Sequence, residues 1–238
     1  DGPALVIAGP GSGKTTVIVN RVYNLIIKHN IKPSSILVIT FTKAAAVSMK
    51  ERFMSLEGSL NVPVTFGTFH AVFFTILRHA YNYSVNSIIT RDLQYNFIRD
   101  KLISFELEYS DENEMVNSIL SQISKVKNDC LNIDEYISTA CPDETFRIIY
   151  KEYGKMLISR RLIDYDDMVV LCNELLTQRA DYKAAWQDKY KYILIDEFQD
   201  INKMQFDTIK LIAGESANIF AVGDDDQSIY GFRGSKPD

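Results

Sequence analysis

Residues 4–16 read Ala4-Leu5-Val6-Ile7-Ala8-Gly9-Pro10-Gly11-Ser12-Gly13-Lys14-Thr15-Thr16. A short β-favouring run breaks at a segment in which glycine fills three of the five positions 9–13. The apolar residues that follow, Val17, Ile18, Val22, Leu25 and Ile26, recur at helical spacing. Strand, glycine loop and helix are therefore expected in that order. Ala8 to Thr15 fits the pattern of a phosphate-binding loop, with Ala8 in place of its first glycine. The glycines let successive backbone N–H groups turn toward a phosphate at the positive end of the helix. Lys14 then reaches the β- and γ-phosphates, and the Thr15 hydroxyl ligates Mg²⁺.

Working outward, strand-like and helix-like stretches alternate. Ile36-Leu37-Val38-Ile39 reads as a buried strand followed by a helix over 43–56. Val62-Pro63-Val64-Thr65-Phe66 reads as a third strand, with a helix from His70 to about Ala80. Tyr192-Ile193-Leu194-Ile195 and Asn218-Ile219-Phe220-Ala221-Val222 give two more, with a helix near 202–213 between them. Alternation of this kind predicts an α/β fold with a parallel sheet covered on both faces. Between Tyr83 and Gln178 the pattern changes to helical stretches at 90–106, 113–127, 143–159 and 164–177. The expected organisation is one α/β domain in two parts, 1–82 and 181–238, with an all-helical insertion over 83–180.

Composition narrows the class. The 238 residues are 46% hydrophobic and 24% charged, which fits a globular chain and excludes disorder. Mean hydropathy is −0.08, and the apolar runs stop well short of the ~18 residues of a membrane span. Three cysteines, Cys130, Cys141 and Cys172, are too few and too scattered for a disulfide framework or a zinc cluster. A reduced, cytoplasmic setting is the simplest expectation. Net charge is −5, yet residues 1–80 carry 8 basic and 3 acidic side chains. A basic groove on a mildly acidic protein is compatible with nucleic acid; a wholly basic coat is not what this chain offers.

The second chemical signal is Ile193-Leu194-Ile195-Asp196-Glu197. An apolar strand ending in two carboxylates suits Asp196 to holding Mg²⁺ through water and Glu197 to polarising an attacking water. Together with the loop at 8–15, it points to a nucleoside triphosphatase.

The text around these elements is more specific. Asp196-Glu197-Phe198-Gln199-Asp200 and Val222-Gly223-Asp224-Asp225-Asp226-Gln227-Ser228-Ile229-Tyr230-Gly231-Phe232-Arg233-Gly234-Ser235 closely resemble motifs II and III of the UvrD/Rep family of superfamily-one DNA helicases. Thr40-Phe41-Thr42-Lys43-Ala44-Ala45-Ala46 is similar to that family's motif Ia, and Gly67-Thr68-Phe69-His70 to its motif Ib. The resemblance runs from Ala4 to Ser235. It implies a RecA-like P-loop fold with an inserted helical subdomain, and ATP-driven 3′ to 5′ translocation on single-stranded DNA with unwinding at junctions. It implies ATP contacts from Ala8, Gly9, Pro10, Gly11, Ser12, Gly13, Lys14, Thr15 and Thr16, with Mg²⁺ on Thr15 and Asp196. Catalysis falls to Glu197, Lys14 and Gln227, the last sensing the γ-phosphate. Phe41, Tyr230 and Phe232 are implied to lie in the DNA groove, with Thr68, His70 and Arg233 on nucleotides or backbone.

Several positions depart from the family pattern. Phe232 stands where tryptophan is common, and Lys43-Ala44 replaces an Asn-Lys pair. The family's adenine-reading glutamine motif lies upstream of the phosphate loop, where this chain has seven residues before Ala8. A second RecA-like domain, which supplies arginines to the γ-phosphate and the other wall of the DNA groove, follows motif III in the family. The expectation is an N-terminal portion of a longer helicase. Two other readings stay open on sequence alone: an ATP-gated module whose acidic helical insertion docks a protein, and the motor subunit of a helicase–nuclease.

The aromatic positions generate a test. A motor must grip any sequence, and every base has a face on which a ring can stack. Phe232→Ala should weaken single-strand binding by roughly 1–3 kcal/mol with little sequence dependence, while Phe232→Trp binds at least as well as the parent. Fluorescence anisotropy with oligonucleotides of different composition checks this, and equal binding by Phe and Ala would remove the ring from the groove.

Overall fold

The computed structural model describes residues 2–9, 12–56, 62–215 and 218–224. Five strands, β1 (Ala4–Ile7), β2 (Ile36–Thr40), β3 (Thr65–Thr68), β4 (Tyr192–Ile195) and β5 (Asn218–Gly223), form one parallel sheet in the order β1-β5-β4-β2-β3. The helices are α1 (Lys14–Ile27), α2 (Lys43–Met54), α3 (Phe69–Tyr81), α4 (Arg91–Ser104), α5 (Glu112–Asn128), α6 (Asp143–Ser159), α7 (Tyr165–Gln178), α8 (Ala180–Lys189) and α9 (Lys203–Ala213). This is the parallel α/β architecture that the alternating pattern predicts. None of these helices is long and apolar enough to cross a membrane.

Two compact units make up the chain, one from residues 1–76 and 171–238, the other from residues 77–170. Their boundaries fall inside α3 and α7. A composition change at Tyr83 or Gln178 cannot mark them, because each of these helices has one unbroken apolar pattern.

In the α/β unit every residue of β2 is buried, as a central strand with Val/Ile/Leu-rich sequence requires. Ile18, Val22 and Leu25 of α1 and Met49 and Phe53 of α2 close one core with Ile36, Val38, Leu194 and Val222. β1 is an edge strand. Its Val6 packs on this core, whereas Leu5 and Ile7 on its other face are 54% and 58% exposed among the described residues. The expected cover on both faces therefore does not extend to β1. The third strand lies later than its apolar run suggested, at Thr65–Thr68, paired Leu37↔Thr65 through Thr40↔Thr68. Pro63 has no N–H to give a ladder, and pairing with β2 selects the more polar Thr-Phe-Gly-Thr instead.

The helical unit has a core of its own. Val116, Ile119, Ile123 and Val126 of α5 face Ile98 and Leu102 of α4 and Phe146, Ile149, Tyr153 and Leu157 of α6. Thr90 and Asp111 cap α4 and α5 through Leu93 N and Glu114 N, and the last turn of α5 carries Lys125 and Lys127. Beside this core lies a buried charge network. Lys127 Nζ donates to Asp164 Oδ2 at 2.7 Å and to Asp167 Oδ1 at 2.6 Å. Tyr153 OH also donates to Asp164 Oδ2 at 3.1 Å, and Asn128 Nδ2 donates to Asp166 Oδ1 at 2.8 Å. Burial, then the charge of Asp164, pushes the Asp167 carboxyl above the ordinary range. Burial pulls the Lys127 ammonium down, but the two carboxylates outweigh it and hold it above its usual value.

Breaking a buried ion pair from one side strands the other charge. Lys127→Met should therefore destabilise the fold by about 3–5 kcal/mol near pH 8. An acid whose folded pKa lies above its unfolded value binds more protons when folded, so the variant regains stability as pH falls toward the unfolded pKa. Urea unfolding at pH 8 and pH 5 checks this: the deficit relative to the parent should shrink at pH 5, and a deficit equal at both would contradict the assignment.

Candidate functional site

Parallel pairing sets the site's position. Ile7↔Gly223, Ile195↔Ala221, Ile39↔Ile195 and Thr40↔Thr68 are in register, so all five strands end on the same side of the sheet. The crevice beyond the carboxyl ends of such a sheet is where ligands are held in this class of fold. The chain leaves β1 into the phosphate loop, β2 into Phe41 and Thr42, β3 into Phe69 and His70, β4 into Asp196 and Glu197, and β5 into Asp224.

The phosphate loop is anchored to this end by Ala8 N donating to Gly223 O at 3.0 Å. Gly13 precedes α1 with φ 86° and ψ 24°, a left-handed conformation that favours glycine. The first turn of α1 holds no acidic side chain, and among the described residues no side chain caps it. The start of a helix carries free N–H donors and the positive end of its dipole, which favour an anion. Thr15 is half-buried and Thr16 exposed. Pro10 and Gly11 lie outside the described residues. Beside the loop, an open hollow of about 570 Å³ runs along Thr16, Asn20 and Asn24 to Phe220, over whose ring the Arg21 guanidinium lies at 5.4 Å.

Lys14 lies at the centre of the charged groups. Its Nζ donates to Asp224 Oδ2 at 3.0 Å and is 3.8 Å from Glu197 Oε2, with 10% of the side chain exposed. Asp196 is buried at the end of β4, its N–H donating to Ile39 O at 2.9 Å. Thr40 Oγ1 reaches its Oδ2 at 3.5 Å, and its Oδ1 is buried without a hydrogen-bond partner among the described residues. Burial first, and then the adjacent Glu197 charge, pushes the Asp196 carboxyl up to about 6. A buried carboxylate with an unsatisfied oxygen fits a divalent cation, which supplies the missing partner. Among the described residues no group of three or more His, Cys, Asp or Glu is placed to hold a metal alone.

Glu197 adopts φ 52°, ψ 50°, left-handed geometry that is uncommon outside glycine, asparagine and aspartate. The turn redirects the chain from β4 into the short 3-10 segment Phe198–Asp200. Gln199 Nε2 donates to Glu197 Oε2 at 2.8 Å, and Gln199 Oε1 accepts from Asp224 N at 2.9 Å. Lys14, Glu197, Gln199 and Asp224, from three separate stretches of sequence, thus form one connected network.

The DNA candidates are more dispersed. Phe41 and His70 are half-buried, each at the first turn beyond its strand. Thr68 Oγ1 accepts from Ala71 N at 3.2 Å and so caps α3. Thr68 also borders an apolar hollow of about 380 Å³ with Phe66 and Val47, flanked by Lys43 and Lys50 at the same-face i, i+7 spacing of α2. Gln227, Tyr230, Phe232 and Arg233 lie outside the described residues. Sequence reasoning passed over Gln199, Thr40 and Lys50. Thr40 carried a signal, a polar residue closing the apolar run Ile36–Ile39. Gln199 stands within the quoted motif but takes its meaning from Asp224, 25 residues on.

Comparison with known proteins agrees with this arrangement. The family described as UvrD/REP helicase N-terminal domain matches residues 1–238. The ATP-dependent DNA helicase Rep of Escherichia coli is 34% identical over 242 residues, covering 99% of this chain and 36% of that protein. PcrA of Leuconostoc citreum, also an ATP-dependent DNA helicase, is 35% identical over 242 residues, covering 99% of this chain and 32% of its own length. DNA helicase II of Rickettsia typhi is 35% identical over 245 residues, with 99% and 37% covered. The chain spans about a third of the length of the curated relatives it matches. With a family match over its whole length, and a parallel sheet that ends in a phosphate loop and paired carboxylates, the chain belongs to the UvrD/Rep family of ATP-dependent DNA helicases.

Proposed function

We propose that this chain is the N-terminal, ATP-binding motor portion of a 3′ to 5′ single-stranded DNA translocase that unwinds junctions during repair, recombination or replication. The observation that carries the reading is the connected charge network at the carboxyl ends of β1, β4 and β5. There Lys14 is held by carboxylates in the place where phosphates bind in phosphate-loop proteins. Triphosphate oxygens take over Lys14 from Asp224, while the free N–H groups at the start of α1 bind the β-phosphate. The Thr15 hydroxyl, and Asp196 through water, would hold Mg²⁺, which when bound would supply positive charge beside the β- and γ-phosphates. Glu197 orients a water for in-line attack on the γ-phosphorus and accepts its proton; the bond to the β-phosphate oxygen breaks, leaving ADP and phosphate.

Phe41, Thr68, His70, Tyr230, Phe232 and Arg233 are assigned to the DNA strand by the family resemblance, and Gln227 to the γ-phosphate. The partners this reading requires are single-stranded DNA and a second motor domain. That domain supplies arginines, worth about 10³–10⁵ in rate in related phosphoryl transfers, and a body against which to move.

Two measurements test the reading. In the full-length protein Glu197→Gln should leave nucleotide binding near the parent's and slow hydrolysis by about 10²–10⁴-fold, the usual value of general-base assistance. Binding that falls together with turnover would place Glu197 on the metal instead. The 238-residue chain by itself should bind Mg²⁺–nucleotide but hydrolyse it very slowly, with or without single-stranded DNA. Steady-state hydrolysis decides it, and strong DNA-stimulated turnover by this chain would contradict the division of labour.

A further inference from the structure

We infer that Gln199 is a positioning residue that joins the hydrolytic glutamate to the segment following β5, through the two ends of one side-chain amide. The inference rests on the proposed role of Glu197 and adds a residue to it.

Gln199 is 7% exposed, and both polar ends of its side chain are engaged. Its Nε2 donates to Glu197 Oε2 at 2.8 Å, and its Oε1 accepts the backbone N–H of Asp224 at 2.9 Å. A side-chain amide offers a donor and an acceptor together, at opposite ends of one planar group. The surroundings hold it in place. Phe198 stacks edge-on against Phe206 of α9, at 5.5 Å between ring centres, which fixes the turn that carries Gln199. Gly223, the last residue of β5, permits the approach: a Cβ there would lie 3.0 Å from Gln199 Oε1 and 3.3 Å from Phe198 Cβ.

Each end of the amide has its own consequence. Glu197 is the more exposed partner of the network, 36% of its side chain accessible, and it sits on left-handed backbone. The Nε2 donor holds one carboxylate oxygen and leaves the other to face a water. The Oε1 acceptor holds the N–H of Asp224, whose carboxylate in turn receives Lys14 at 3.0 Å. In sequence, Asp224 leads directly into Gln227, Tyr230 and Phe232. Nucleotide that draws Lys14 away from Asp224, or Glu197 into contact with water, therefore pulls on the same amide that holds the start of that segment. Gln199 thus sets the geometry of hydrolysis at one end and the response to DNA at the other.

The two ends can be separated in the full-length protein. Gln199→Met keeps the length and removes both hydrogen bonds. Gln199→Glu keeps the acceptor for Asp224 N–H but turns a carboxylate oxygen toward Glu197. Nucleotide affinity, kcat without DNA, kcat with saturating single-stranded DNA, and Tm are measured for each. Loss of a buried hydrogen bond at a catalytic group predicts kcat without DNA lowered by about tenfold to a hundredfold in both variants, more in Glu than in Met, with nucleotide affinity within about twofold. The ratio of DNA-stimulated to basal turnover should collapse in Met and persist in Glu. A merely structural role would move both ratios with Tm and would not separate the variants, and that outcome overturns the inference. So does wild-type kcat in either variant, which leaves Gln199→Glu sufficient if the methionine protein does not fold. Glu197→Gln is run alongside. If it retains full hydrolysis, the assignment of Glu197 fails and this inference with it; if it loses hydrolysis while both Gln199 variants keep theirs, the inference alone fails.

Discussion

The site depends on one cation placed among carboxylates. Lys14 is nearly buried between Asp224 and Glu197, at the ends of strands brought together by parallel pairing. Removing the Lys14 ammonium and the Asp224 carboxylate from water is costly, and their mutual attraction recovers that cost only with good geometry. Such a pairing suits a protein whose ligand is itself a polyanion. Phosphate oxygens can replace Asp224 at Lys14 without leaving the cation unpaired, and the released carboxylate then has to find another arrangement. Under the proposed function the network has two states that differ in what Lys14 binds; in the structure Gln199 bridges Glu197 on one side and the exit of β5 on the other.

The sheet makes this arrangement inexpensive in backbone terms. Because β5 lies between β1 and β4, the phosphate loop, the paired carboxylates and Asp224 follow three neighbouring strands. Strand spacing of about 4.8 Å brings their side chains within reach without long excursions of the chain. The local irregularities sit here as well. Gly13 is left-handed at the start of α1, Glu197 is left-handed after β4, and Gly223 lets Gln199 lie against the end of β5. Left-handed residues also occur elsewhere, at Asn30, Asn82, Glu106, Cys130 and Arg161, but Gly13 and Glu197 are the ones that flank the charged groups.

Much of this was legible in the sequence. Ile36–Ile39 and Tyr192–Ile195 are apolar runs too short for helices and too continuous for a half-exposed strand, so their burial in a parallel sheet followed directly. Ala8–Thr15 carries the spacing of a phosphate-binding loop in its sequence. Other features escaped for physical reasons. α8 lacks an apolar stripe, since Trp186 is its one buried side chain, and the helix rests on packing rather than on pattern. β3 follows the register of β2 and not its own hydrophobicity. The Lys127 network joins residues 37 to 40 positions apart, and the Gln199 bridge depends on where β4 and β5 end. Periodicity reports which face of an element is buried. It does not report which polar groups meet across elements.

An experimental structure of the protein with Mg²⁺ and a non-hydrolysable ATP analogue tests the central claim most directly. The account predicts Lys14 Nζ on phosphate oxygens and no longer on Asp224, the metal beside Thr15 and Asp196, and Gln199 still donating to Glu197. Nucleotide bound away from residues 8–16, or Lys14 still paired with Asp224 beneath a bound triphosphate, would contradict it.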